Sequence, residues 1–173
     1  MKISILLPFK ENFSPEYPGA VSLFINDTNK ISKYKKQTLI FGNTSFKKKF
    51  KHKYLNIKLE KSLFVSQNKK YVSEFIKIEK KRNSDIIELH NRPIYLKYLT
   101  KKLIKKNYIL FFHNDPLSMT GSRSTRERTF ILNNCHKIIF NSNWSKNRFI
   151  NGMNIDINNN KLTVIHQSAK KNK

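Results

Sequence analysis

The sequence contains little of several components that common functional sites require. Its 173 residues include one cysteine, four glycines, one tryptophan and 11 acidic residues. The single cysteine, Cys135, excludes an intramolecular disulfide and a cysteine metal cluster, and it fits a reducing compartment. The four glycines form no G-x-G-x-x-G fingerprint, no Walker loop and no G-x-S-x-G elbow. So few carboxylates argue against a metal-dependent active site, and we expect no metal cofactor.

Long apolar runs are also missing, so the sequence predicts no membrane-spanning helix. The apolar start ISILL is interrupted by Pro8 and is followed by Lys10 and Glu11, without a small-residue cleavage site. We therefore expect a buried first strand here rather than a signal peptide. Hydrophobic residues make up 38% of the chain and aromatic residues 12%, which suits one folded domain with a hydrophobic core.

Positive charge, in contrast, is in large excess. The chain has 35 Lys and Arg residues and a formal net charge of +24 at pH 7. Such a surplus favours polyanionic partners, either nucleic acid or an anionic membrane surface. The abundance of Lys, Asn and Ile also fits a codon bias toward AT-rich DNA, and the charges are spread along the whole chain. We interpret the charge as partly compositional, on a surface that still attracts anions.

Short apolar runs recur along the chain, several of them without polar alternation, as in strands buried on both faces of a parallel sheet. They cover residues 2–8, 38–42, 54–59, 84–90, 107–113, 137–142 and 161–166. Helical spacing of apolar residues appears between them, over residues 19–33 and 69–81. Pro93 suits the first turn of a further helix, which we expect to extend to about Lys106.

Two helix starts carry capping signals. Ser124 and Glu127 fit a capping box, and Ser142 is placed to cap a helix over residues 143–150. Strands that alternate with helices predict right-handed crossovers. The predicted fold is a single Rossmann-like, doubly wound α/β domain with a mostly parallel sheet of about seven strands. We place its boundaries at residues 1–167, followed by a basic tail over residues 168–173.

The predicted strands end on compact polar or flexible residues, and in such sheets ligands bind outside the carboxyl ends of the strands. These terminal residues are Gly42, His90, His113, Ser142 and His166. Three histidines at three strand ends are more than we expect by chance. The carboxyl edge of the sheet is therefore the predicted ligand-binding edge.

Each candidate motif at this edge has a functional and a structural interpretation. His113 could hydrogen-bond a sugar hydroxyl, with Asp115 orienting it or acting as a base, or the motif HNDP could be turn chemistry before a proline. His90 and Arg92 could contact a polar or anionic ligand, or form a capped turn. Gly19 opens a helix where a phosphate could bind, although on this feature alone an ordinary loop-to-helix turn is the better explanation of that glycine.

Ordinary structural roles explain the other basic segments well. The donor-rich loop of residues 122–128 could hold a phosphate or a sugar, but basic runs are usually solvated surface. The lysine-rich helix predicted from Pro93 suits packing on the sheet and, on its outer side, contact with anionic lipid. Cys135 and His136 are interpreted as structural, since a second cysteine or nearby histidine is missing.

Taken in order, the motifs resemble the N-terminal half of a GT-B glycosyltransferase of family 4, over nearly the whole chain. The matching segments are ISILLPF with its Pro-Gly loop, IIELHNRP, ILFFHNDP, MTGSRSTRERTFILNNC, KIIFNSNWSKNRF and KLTVIH. No single segment is decisive, but their order and spacing together are fairly specific.

The resemblance implies an acceptor-binding domain of an enzyme that transfers a sugar from a nucleotide-sugar to a glycolipid or polysaccharide, without a metal. It implies that His113 is the catalytic residue beside the donor sugar and that Gly19 lies near the diphosphate. The substrate-binding candidates are Gly19, His90, Arg92, Asn114, Asp115 and Ser142. It also implies work at the cytoplasmic face of a membrane, as a peripheral protein.

The sequence departs from the family pattern in two places. The loop after the first strand has one glycine, and the crossover that would read Asn-Gly reads His166-Gln167-Ser168-Ala169. We therefore expect the donor-binding C-terminal domain to be lacking here and to come, if at all, from a separate partner chain. The alternatives are a basic nucleic-acid-binding α/β module, which lacks recognisable RNA-binding motifs, and an inactive remnant.

Overall fold

The computed structural model describes residues 1–59 and 66–167. Within these residues seven strands form one sheet in the order β3-β2-β1-β4-β5-β6-β7, and all neighbouring strands are parallel. The strands are β1 (Ile3–Leu6), β2 (Thr38–Gly42), β3 (Tyr54–Asn56), β4 (Ile86–His90), β5 (Asn107–Phe112), β6 (Cys135–Phe140) and β7 (Leu162–Val164). The predicted fold class is confirmed. The predicted basic tail lies outside the described residues.

The helices lie between the strands and cover both faces of the sheet. They are α1 (Ala20–Ile31), α2 (Gln67–Arg82), α3 (Ile94–Leu99), α4 (Thr125–Asn134) and α5 (Asn143–Ile150). The chain moves from β1 to β3 in one direction across the sheet and from β4 to β7 in the other. Right-handed crossovers then place α1 on one face and the other four described helices on the opposite face. The reversal lies between β1 and β4, which is where open α/β sheets bind ligands.

The hydrophobic core is divided by the sheet into two clusters. The smaller cluster packs α1 against β1 and β2 and contains Ile5, Leu7, Phe13, Val21, Ile25 and Ile40. The larger cluster lies on the other face and includes the buried rings of Tyr71, Phe75, Tyr95, Phe112, Phe140 and Phe149. Each fully buried apolar side chain stabilises the fold by about 1.5–3 kcal/mol. Because the strands are buried on both faces, their sequences are continuous apolar runs.

Both predicted helix caps are present. Ser124 Oγ accepts the Glu127 N–H at 3.2 Å, and the Glu127 carboxylate accepts the Ser124 N–H at 3.0 Å, which completes the capping box. At the start of α5, Ser142 Oγ accepts the Ser145 N–H at 3.1 Å. Such caps typically stabilise a helix by about 1 kcal/mol each.

The helix predicted over residues 93–106 is shorter than expected. α3 ends at Leu99, and the chain then forms turns. The Leu99 carbonyl accepts the N–H of Leu103 at 2.8 Å, and the Leu103 side chain is buried. The Leu103 carbonyl in turn accepts the Tyr108 hydroxyl at 2.8 Å. The turns after Leu99 thus make a contact with β5, where the local apolar pattern alone predicts a continued helix.

The remaining helices are amphipathic or short. α2 has 16 residues and ends with Lys80, Lys81 and Arg82. In the part of the chain that the structure describes, no helix combines the length and the apolar character needed to cross a bilayer.

Cys135 is a buried, free cysteine at the start of β6. Burial raises the pKa of its thiol to about 12, so the reactive thiolate is scarce at neutral pH. This agrees with the structural interpretation of Cys135.

Candidate functional site

The strand register brings two histidines together at the carboxyl edge of the sheet. His90 ends β4 and pairs with Phe111 of β5. Because side chains alternate between faces, His113 lies on the same face two residues after Phe111. His90 Nδ1 lies 2.8 Å from His113 Nε2. His166, the third strand-end histidine, is exposed and lines a neighbouring cavity of about 490 Å³.

The two imidazoles belong to a longer line of hydrogen bonds. Glu88 lies two residues before His90 on the same face of β4, and its Oε1 is 2.7 Å from His90 Nε2. At the other end, the side-chain amide nitrogen of Gln167 contacts His113 Nδ1. The order is therefore Glu88, His90, His113, Gln167. We call these four side chains the histidine line.

The main chain of His113 is held from both sides by asparagines. Asn91 Oδ1 accepts the His113 N–H at 2.8 Å, and Asn141 Nδ2 donates to the His113 carbonyl at 2.7 Å. Asn91 adopts a φ of 50°, which asparagine tolerates better than most residues. Both asparagines follow strands adjacent to β5, so the ends of β4, β5 and β6 are tied together at His113.

The rings of the site are enclosed by aromatic side chains. Phe111 stacks on His90 with ring centroids 4.7 Å apart, and the edge of Phe24 from α1 meets His113 at 4.9 Å. Burial, together with the neighbouring His90, lowers the pKa of His113 from 6.5 to about 3. At neutral pH His113 is therefore an uncharged imidazole, able to donate one hydrogen bond and accept another.

A polar cavity of about 520 Å³ opens beside this site, at the carboxyl ends of β4 and β5. Its lining residues are Ser66, Asn68, Asn91, Arg92, Ile94, Tyr98, Asn114, Ser118, Met119 and Thr120. Amides, hydroxyls and one guanidinium therefore surround a space of the size that binds small molecules. Two of the predicted substrate-binding residues, Arg92 and Asn114, line this polar cavity together.

The other predicted substrate-binding residues have structural partners. Asp115 Oδ1 accepts the Leu117 N–H at 3.0 Å, and its carboxylate pairs with Arg148, whose Nη2 is 3.0 Å from Oδ2. The hydrogen bond from Arg148 lowers the pKa of Asp115. Ser142 caps α5 as described, and His90 is fully buried behind His113. These contacts hold the edge of the sheet in place, and they leave Arg92 and Asn114 as the predicted residues that line the polar cavity.

Gly19 is the N-cap of α1 and has no side chain to satisfy the first turn. The Glu11 carboxylate fills this role, since its Oε1 accepts the Ser22 N–H at 3.0 Å. A Cβ atom at position 19 would lie 2.0 Å from the same Oε1, so glycine is required for Glu11 to approach. The predicted phosphate position at this helix start is thus occupied by the protein's own carboxylate.

Sequence reasoning missed four residues of the site: Glu88, Asn91, Asn141 and Gln167. One local signal was available for Glu88, because a polar residue two positions before His90 must share its face of the strand. The others are recognisable only from contacts between segments that are distant in the sequence.

The loop that carries Ser118, Met119 and Thr120 into the polar cavity depends on a glycine, and this gives a first prediction. Gly121 has a φ of 97°, and a Cβ there would lie 2.6 Å from the backbone nitrogen of Ile94. Gly121→Ala should therefore lower the free energy of unfolding by about 3 kcal/mol, through backbone strain and overpacking against α3.

Gly152→Ala is the matched control for this substitution. Gly152 also has a positive φ, 72°, but its Cβ would meet only a Thr125 methyl at 3.5 Å. The expected loss is about 1 kcal/mol. Urea denaturation followed by circular dichroism measures both, and equal losses would contradict the close approach of the loop to α3.

Comparison with known proteins identifies the fold. No protein-family model matches the sequence, and curated proteins give no match. Among solved structures, Anabaena HepE in complex with UDP-glucose has a TM-score of 0.63 at 14% identity, over 96% of this chain and 44% of that chain. The UDP-N-acetylglucosamine 2-epimerase from Rickettsia bellii gives 0.58 at 10% identity, over 95% and 44%. The UDP-GlcNAc 2-epimerase from Methanocaldococcus jannaschii gives 0.53 at 15% identity, over 95% and 45%.

These values define a class of protein. The chain is an α/β domain with an all-parallel seven-stranded sheet in its described residues, and it matches about half of a GT-B-fold chain. It spans less than half the length of each of the three structures. At such low identities the likeness establishes the fold alone, and the assignment to glycosyltransferase family 4 remains a prediction.

Proposed function

We propose that this chain is the acceptor-binding half of a glycosyltransferase that transfers a sugar from a nucleotide-sugar to a polysaccharide or glycolipid. The observation that carries the proposal is the polar cavity lined by Arg92 and Asn114 at the carboxyl edge of the sheet; Asn91, which also lines it, accepts the His113 N–H. The fold comparison supports it, because HepE was solved with UDP-glucose and both epimerases are named for a UDP-sugar.

The lining of the polar cavity suits a carbohydrate. Sugar hydroxyls both donate and accept hydrogen bonds, and side-chain amides such as those of Asn68 and Asn114 do the same. Tyr98 and Ile94 offer apolar surface for the faces of a sugar ring. Arg92 adds a permanent positive charge with several donors, which favours an acceptor with a carboxylate or phosphate group.

His113 would act as a neutral hydrogen-bonding group in the transfer. Its low pKa keeps the imidazole uncharged at neutral pH, so it can bind a sugar hydroxyl without attracting the phosphates of the donor. Its main chain is fixed by Asn91 and Asn141, which limits the entropy lost when a ligand binds. In this proposal a second domain binds the donor nucleotide, and that domain is supplied by a partner chain or by a further segment.

The acceptor side of the proposal can be tested on the chain alone. A printed array of acidic and neutral oligosaccharides should reveal binding that Arg92→Ala weakens by about tenfold or more, since a hydrogen bond to a charged group contributes about 1.5–3 kcal/mol. Lys80→Ala removes the same charge from the exposed side of α2 and should leave binding unchanged. Equal binding by both variants would show general charge attraction instead of a site.

Catalysis requires the donor half. Mixing this chain with the product of an adjacent reading frame that encodes such a half should give transfer of radiolabelled sugar. His113→Ala should abolish that transfer while the circular dichroism spectrum is kept. Wild-type transfer by this variant would remove His113 from its catalytic role.

Membrane contact is a separate part of the proposal. The turns after α3 expose Ile104, at 74% of its surface, among Lys101, Lys102 and Lys105. An apolar side chain within a cluster of lysines suits a surface rich in anionic lipid. Flotation with phosphatidylglycerol vesicles should exceed flotation with phosphatidylcholine vesicles and should weaken in Ile104→Ser. Tighter binding to RNA than to either vesicle at high salt would favour the nucleic-acid alternative.

A further inference from the structure

With one N–H on each imidazole, the histidine line has a single direction. A carboxylate only accepts hydrogen bonds, so Glu88 requires the proton of His90 to be on Nε2. If His90 carries this single N–H, its Nδ1 is an acceptor. The contact of 2.8 Å between His90 Nδ1 and His113 Nε2 then requires His113 to carry its proton on Nε2. His113 Nδ1 is left as an acceptor, and the amide nitrogen of Gln167 is the donor that meets it.

The burial of these groups protects the arrangement from solvent. The His90 side chain is fully buried and that of Glu88 is 19% exposed. Phe111 and Phe24 cover the two rings, so few water molecules can substitute for the partners of either imidazole. Each partner therefore strongly influences which nitrogen of the next ring is protonated.

The position of Gln167 marks where a ligand would enter. Gln167 is exposed, unlike the three groups before it. It also lines the cavity of about 490 Å³ that Glu88, Phe111 and His166 share. The amide of an exposed side chain is readily displaced by another donor, and displacement would open His113 Nδ1 to that cavity.

We propose that Glu88 and His90 are positioning residues that fix the tautomer of His113, so that His113 Nδ1 presents a hydrogen-bond acceptor to a ligand hydroxyl. The side-chain amide of Gln167 occupies this acceptor position in the free protein. That the hydroxyl belongs to a sugar rests on the proposed function. The acceptor position and its control by Glu88 rest on the geometry alone.

Long-range ¹H–¹⁵N correlation spectra of the full chain labelled with ¹⁵N-histidine test the arrangement, because they report which nitrogen of each ring is protonated. Single His→Gln variants assign the five histidines. In the wild-type protein at neutral pH, His90 and His113 should both carry their proton on Nε2 alone. A proton on His113 Nδ1 would overturn the proposal without any variant having to fold.

Two substitutions at Glu88 separate positioning from a general structural role. Glu88→Leu removes the acceptor and should cause the loss of the single tautomer at His113. Glu88→Gln keeps an oxygen that can accept from His90, and it should retain the wild-type tautomers. If Glu88→Leu folds and leaves His113 protonated on Nε2 alone, Glu88 does not control that ring. If Glu88→Leu fails to fold, two other variants make the same distinction. Glu88→Gln should retain the single tautomer of His113, and His90→Phe should lose it.

Gln167→Ala tests the occupied position. It should keep the His113 tautomer and shift the Nδ1 resonance, and an unmoved resonance would remove Gln167 from the line. Methyl glycosides should then shift the His113 Nδ1 resonance of Gln167→Ala at a concentration roughly fivefold lower than in the wild type. This factor is expected from the loss of one competing neutral hydrogen bond. Correct tautomers with no response to any glycoside would leave the positioning roles intact and would count against the sugar assignment of the proposed function.

Discussion

Glu79→Ala is expected to lower the free energy of unfolding by about 4 kcal/mol, the largest effect that we predict for a single substitution. Glu79 of α2 is fully buried with Ser4 of β1 and Ser84. Its carboxylate accepts the Ser4 hydroxyl and the Ser84 N–H, each at 2.6 Å. Alanine would leave this N–H buried without its acceptor and would open a cavity, and these costs add.

Two further variants make this prediction specific. Glu79→Gln keeps one oxygen for the Ser84 N–H, so it should cost about 1–2 kcal/mol. Glu74→Ala, on the same helix, breaks only a surface ion pair with Lys77 and should cost less than about 0.5 kcal/mol. Urea denaturation of all three measures the ranking. A loss for Glu79→Ala as small as that for Glu74→Ala would show that the buried cluster does not hold α2 on the sheet.

The second large effect is a loss of stability in acid that depends on His113. The pKa of His113 is about 3 in the folded protein because burial and the adjacent His90 disfavour its charged form. The pKa of an exposed histidine is 6.5. Between these values the unfolded chain binds a proton that the folded protein does not. The stability contributed by neutral His113 is complete above pH 6.5 and is progressively lost as the pH falls toward 3. We expect a loss of about 3 kcal/mol, below the full value for such a shift because the ring is partly solvated.

The measurement is the free energy of unfolding as a function of pH for the wild type and for His113→Gln. The variant should be less stable at neutral pH, because contacts of the histidine line are lost, but its stability should fall less steeply in acid. His52, whose pKa burial also lowers, contributes to both profiles, so the difference between them isolates His113. Parallel profiles would contradict the assignment of a buried, neutral His113.

Much of the site could be predicted because parallel strands deliver their last residues to one edge. The strand pattern alone placed His90, His113 and Ser142 at that edge, and the structure brings the two histidines to 2.8 Å. The pattern did not predict what those residues do there. His90 and Ser142 point to partners inside the protein, and Arg92 and Asn114 line the polar cavity.

The prediction for α3 failed for a related reason. Its apolar and lysine residues continue with helical spacing beyond Leu99, and spacing is a local property. The helix ends at Leu99, and the Leu103 carbonyl beyond it accepts the Tyr108 hydroxyl, a contact that forms only once β5 is in the sheet. Gly19 was likewise predicted correctly as the start of a helix. The carboxylate that accepts a hydrogen bond from the first turn comes from Glu11, across a loop.

The sequence by itself determined the parallel α/β fold, the caps of α4 and α5, and the edge where polar residues collect. These follow from side-chain periodicity and from hydrogen bonds between residues a few positions apart. Only the tertiary structure decided that Glu88, His90, His113 and Gln167 form one line, and that His113 is neutral. Protonation depends on burial and on the partners of each nitrogen, and those partners come from three separate segments of the chain.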